Sequence, residues 1–99
     1  MSFVKAQPDM LSAAAGDLQG ISAAMSAENA VAATVTTGVA PAAGDAVSAL
    51  TALQFSAHAQ LYQAIGAQAA AIQELFATTL GASAGSYAAT DAAINATLT

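Results

Sequence analysis

The chain has 99 residues, enough for one domain, with a net charge of −5, Lys5 as its sole basic residue, and a hydrophobic share of 57% that is largely alanine. That balance excludes phosphate-backbone recognition of nucleic acid, which needs clustered cations, and electrostatic attraction to an anionic membrane surface. The absence of cysteine excludes disulfide staples and thiolate metal sites.

Alanine has the best helix propensity, because its side chain loses no rotamer entropy, but it buries little area. The composition therefore favours helix strongly and a core weakly. The opening MSFVKAQPDM has neither a basic n-region nor an apolar h-region, so an ordinary secretory leader is not expected. Pro8 suits a first helical turn, where its missing N–H costs nothing, and Asp9 favours the positive end of the helix dipole. Helix one is expected over about 8–36. Leu11, Leu18 and Met25 recur at intervals of seven, with Ala14, Ile21, Ala32 and Val35 filling a heptad-like stripe. Gly16 and Gly20 weaken this helix unless they admit another backbone.

In TVTTGVAP the β-branched run, Gly38 and Pro41 end helix one, giving a turn over about 37–43. Helix two starts somewhere from Pro41 to Asp45 and is expected over about 44–83. Two apolar stripes run along it. One is Phe55, His58, Tyr62, Ile65, Ala69, Ile72, Phe76 and Leu80; the other is Val47, Leu50, Ala57, Leu61, Ala64 and Leu75. From Ala46 to Gln73 there is no charge with His58 neutral, but polar residues such as Thr51, Gln54, Gln60 and Gln68 argue against a membrane span. Gly81, Ser83, Gly85 and Ser86 loosen the chain, so 84–99 is expected to be a flexible tail. Within it Tyr87 and Asp91, four apart, would share a face if helical.

The fold class is thus all-α: a long antiparallel two-helix hairpin, some 42 Å by about 57 Å along its helices at 1.5 Å per residue. Helix two carries more apolar surface than helix one can cover. Burying a Leu, Ile or Phe is worth about 1.5–3 kcal/mol, so a few such side chains left in water rival the net stability of a small domain. A partner completing a helical bundle is the physical expectation. The candidate interface is Leu11, Leu18, Met25, Phe55, Tyr62, Ile72, Phe76 and Leu80.

No catalytic constellation is visible. The six acids are dispersed, none paired at i, i+3 or i, i+4, and no metalloprotease, nucleophile-elbow, phosphate-loop or dinucleotide motif occurs. The single histidine, His58, reads as a packing or hydrogen-bonding residue. No enzymatic activity, cofactor or metal is expected.

The stretches MSFVKAQPDML, TTGVAPAAGDAVSAL, QFSAHAQLYQA and GSYAATDAA closely resemble the PE family of mycobacterial proteins, across essentially all 99 residues. The family's Pro-Glu pair is here Pro8-Asp9, which keeps the acid at the helix start, and Gly44 stands where Ala is common. The resemblance implies a heterodimer with a PPE family protein, exported by a type VII secretion system of the ESX-5 type. An EspG-type chaperone would act indirectly, through the PPE partner. The family's Tyr-x-x-x-Asp/Glu export signal is matched by Tyr87 and Asp91. The implied location is secreted, cell surface or outer envelope after cytosolic synthesis, with membrane association after export allowed, and no long C-terminal extension is expected. A competing reading is a self-associating helical envelope or pore component.

Overall fold

A computed structural model describes residues 5–98, and all regular structure among them is helix. Helix α1 spans Pro8–Thr37 and helix α2 spans Ala46–Leu98. The chain divides into two compact units: one takes the residues up to Ile21 and those from Ile72 on, the other is Ser22–Ala71.

In Ser22–Ala71 the two helices form an antiparallel hairpin. Helix α1 closes on Thr36 and Thr37, whose hydroxyls donate to the Ala32 and Ala33 carbonyls at 2.7 and 2.6 Å. Glycine at position 38 has a steric reason, since a Cβ there would lie 3.2 Å from the Thr34 carbonyl oxygen. Pro41 stays outside α2. The helix is started by Asp45, whose carboxylate accepts the Ser48 N–H at 2.8 Å and whose carbonyl accepts the Ala49 N–H at 3.1 Å.

Hydrogen bonding from the Ser48 side chain, and then from its backbone N–H, holds the Asp45 carboxyl below its usual range. A depressed folded-state pKa contributes stability that is fully present above the ordinary aspartate value near 3.9 and lost as pH falls through the lower folded value. Asp45→Asn keeps an acceptor but not the charge. The difference in melting temperature between wild type and Asp45→Asn should therefore shrink as pH is lowered below about 4, as followed by circular dichroism; a constant difference overturns the cap's role.

In the other unit, α1 starts as the sequence suggests. The Gln7 carbonyl accepts the Met10 and Leu11 N–H groups at 3.0 and 3.1 Å, with Pro8 at the first helical position and Asp9 in the first turn. Gly81 faces Ala15, whose Cβ lies 4.0 Å from where a Cβ on Gly81 would sit.

Two expectations need correction. Residues 84–98 continue α2 and do not form a loose tail. Alanines at 84, 88, 89, 92, 93 and 96 outweigh Gly85 in helix propensity, and Ala84, Asp91 and Ile94 are at least partly buried.

The seam on which the helices meet is also not a stripe of large apolar residues. Among the described residues the buried ones are all alanine: Ala15, Ala52, Ala59, Ala77 and Ala84. On α2 the half-buried positions continue the same three-and-four spacing through Ser56, Gln63, Gly66, Ala70, Gln73 and Leu80. Small side chains let two helix axes come to the near end of the usual 8–10 Å range. Bulkier residues at the fully buried alanine positions would hold the backbones apart and break the run of close contacts. Leu11, Leu18 and Leu80 are half-buried on the seam, whereas Ile21, Met25 and Val35 lie outside it.

Gly16 and Gly20 face open space, with nothing within 4 Å of an added Cβ. Gly16→Ala and Gly20→Ala should each raise stability by about 0.5–1 kcal/mol, measured by urea unfolding. A loss instead would reveal a close backbone approach.

Candidate interaction surface

Because alanine seams join the helices, the large side chains are left facing water. In Ser22–Ala71, Phe55 is 62% exposed and Tyr62 54%, and Leu50, Leu53, Leu61 and Ile65 are likewise exposed. In the other unit Met10, Ile72, Leu75 and Phe76 are exposed, Phe76 at 58%. A buried alanine methyl is worth about 0.8 kcal/mol, against the 1.5–3 kcal/mol that full burial of each of these would add. The sequence-derived candidates therefore fall into two groups. Met25, Phe55, Tyr62, Ile72 and Phe76 are exposed, whereas Leu11, Leu18 and Leu80 already spend part of their surface on the chain's own pairing.

Phe55, His58 and Tyr62 form one wall of a groove of about 430 Å³ in the hairpin unit. Val35, Thr36 and Val39 form the other wall, with Ala32 and Ala59 between. His58 is exposed at this groove. Its walls carry no formal charge with His58 neutral.

Tyr87 and Asp91 do share a face, and they sit within continuous helix. They line a groove of about 740 Å³ together with Lys5, Gln7, Met10, Leu11 and Ile94. Tyr87 is 52% exposed and Asp91 is half-buried. The ring also borders a shallower hollow of about 410 Å³ lined by Thr79, Ser83, Ser86 and Thr90, whose hydroxyls recur at helical spacing. The pair thus offers an aromatic face, a carboxylate and a phenol on a rigid element.

Sequence reasoning missed the part played by Asn29. Its side-chain oxygen accepts the Tyr62 hydroxyl at 3.0 Å, and its carbonyl accepts the Gln63 side-chain amide at 2.9 Å. Its place seven residues after Ser22 and fourteen after Ala15 was the available signal. Among the described residues no group of three or more His, Cys, Asp or Glu is placed to hold a metal ion. Among the described residues no helix is long and apolar enough to cross a membrane.

A model of the PE family matches residues 4–94. The chain is 59% identical over 93 residues to PE family protein PE13 of Mycobacterium tuberculosis, covering 94% of each sequence. It is 52% identical over 91 residues to PE family protein PE8 of that organism, covering 92% of this chain and 33% of that one. It is 53% identical over 98 residues to PE-PGRS family protein PE_PGRS33, again from Mycobacterium tuberculosis, covering 99% of this chain and 20% of that one. The chain thus spans nearly all of the first relative but only a third and a fifth of the other two.

Proposed function

Since the chain belongs to the PE family, we propose that it is a non-enzymatic interaction protein, one half of a heterodimer with a PPE family protein. The pair leaves the cytosol through a type VII secretion system of the ESX-5 type, with an EspG-type chaperone engaging it through the PPE partner. Its destination is the medium, the cell surface or the outer envelope. Tyr87 and Asp91 are the residues the export machinery reads.

The observation that carries the pairing is the exposure of the large apolar side chains on α2. The chain presents 7191 Å² to solvent, whereas a compact folded monomer of 9.5 kDa presents about 5,000 Å². The difference, on the order of 2,000 Å², exceeds the roughly 800 Å² that one partner contributes to a standard two-protein interface. A partner offering apolar helices would cover Phe55, Tyr62, Ile72 and Phe76 without displacing the alanine seam.

Co-expression with PPE family proteins, followed by affinity capture and sedimentation, tests this. The expected result is a one-to-one complex that melts at higher temperature than the chain alone, because a ligand of the folded state stabilises it. A monomer that unfolds cooperatively at high temperature and captures none of them would overturn the reading. A defined homo-oligomer would favour self-association instead.

A further inference from the structure

We propose that Asn29 is a positioning residue that sets the sliding register of α1 against α2 in the hairpin unit. This goes beyond the pairing reading and does not depend on it. On α2 the seam in Ser22–Ala71 consists of Ala52, Ser56, Ala59, Gln63, Gly66 and Ala70, all small side chains except Gln63. Sliding α2 by one heptad, about 10 Å, exchanges Ala52, Ala59 and Gly66 with one another, so these positions alone do not fix the register. The connection of residues 38–45 between the helices reaches on the order of 25 Å when extended, so it does not forbid such a slide.

Asn29 breaks the degeneracy. In the observed register its side-chain oxygen accepts the Tyr62 hydroxyl at 3.0 Å and its main-chain carbonyl accepts the Gln63 side-chain amide at 2.9 Å. Its amide nitrogen lies beside Gly66, 3.5 Å from where a Cβ would sit. A one-heptad slide puts Phe55 or Ala69 where Tyr62 was, and Ser56 or Ala70 where Gln63 was. Neither Phe55 nor Ala69 has a hydroxyl to donate, and neither Ser56 nor Ala70 has an amide that reaches the Asn29 carbonyl. The half-buried Gln63 and Asn29 then lose a hydrogen-bond partner, a cost that apolar neighbours do not share. A polar residue among small or apolar ones on a seam is an established way in which paired helices fix register. The register matters because it decides which residues of α1 stand beside Phe55 and Tyr62.

The chain has no cysteine of its own, so Ser26→Cys and Gln54→Cys, both on exposed positions, can carry spin labels alone in the full chain. Their levels along the hairpin differ, so a slide in either direction changes their separation by about 10 Å. The expected result is one distance peak in the otherwise wild-type chain. Asn29→Ala, which removes the bond to Tyr62 and keeps the main-chain carbonyl that Gln63 meets, should add peaks displaced by about 10 Å, lowering the native-to-shifted ratio at least fivefold, with helix content retained. Several peaks without the Asn29 change, or a single native peak in Asn29→Ala, overturns the proposal. Should Asn29→Ala unfold, the double variant Tyr62→Phe with Gln63→Ala decides: displaced peaks support the register role, and one native peak refutes it.

Discussion

Phe55→Asp and Phe76→Asp are each expected to abolish pairing with a PPE family protein while leaving the chain's own helices intact. Both rings are more than half exposed, at 62% and 58%, so neither supports the alanine seam that joins α1 to α2. Surface substitutions of this kind usually move stability by less than about 0.5 kcal/mol. At an interface the same rings become anchors. Truncating a central aromatic anchor costs 2 kcal/mol or more, roughly thirtyfold in affinity, and burying an unpaired carboxylate there adds a desolvation penalty. The measurement is co-purification together with circular dichroism of each variant. Loss of pairing with unchanged helicity is the expected outcome, and Phe55→Leu, which keeps much of the apolar surface, should retain binding. Undiminished pairing in both Asp variants would mean the partner covers some other face. Lost helicity would mean the rings hold the hairpin itself, contrary to their exposure.

The helical class and the first helix start were legible because they rest on local chemistry. Alanine content, Pro8 and Asp9 act within one turn of themselves. The breadth of the apolar surface on helix two was legible too, because three- and four-residue spacing of Phe55, Tyr62, Ile65, Ile72 and Phe76 is visible without coordinates. Which face pairs was not. Large residues dominate any reading of periodicity, yet the helices meet on Ala52, Ala59, Ala77 and Ala84. In a chain this rich in alanine, a small-residue seam does not stand out from the background. The end of α2 was misread for a related reason: Gly81, Ser83, Gly85 and Ser86 signal a break locally, but helix continues to Leu98, with Asp91 and Ile94 partly covered. Asn29 escaped notice because its significance lies in Tyr62 and Gln63, more than thirty residues away.

The continuous helix changes what is asked of Tyr87 and Asp91. A signal on a frayed tail would have to be ordered by its receptor, at an entropic cost of about 1–2 kcal/mol for each backbone residue fixed. On α2 the phenol and the carboxylate are already held one above the other, beside Met10 and Leu11 in a shared groove. Tyr87→Ala is therefore expected to reduce export of the PPE pair at least tenfold, a loss of about 1.4 kcal/mol or more in recognition, while leaving pairing and helix content unchanged. Alanine is the stronger helix former of the two residues, so unfolding does not explain such a loss. Tyr87→Phe separates the ring from its hydroxyl, and Asp91→Asn separates the charge from the side chain's size. If the machinery reads all three features, each conservative variant should fall between wild type and Tyr87→Ala. The assay compares the intracellular and exported fractions of both proteins in a secreting host. Normal export of Tyr87→Ala sinks the assignment. Export lost together with pairing would place Tyr87 in the partner interface, where its 52% exposure would be covered by the PPE chain and not by the secretion apparatus.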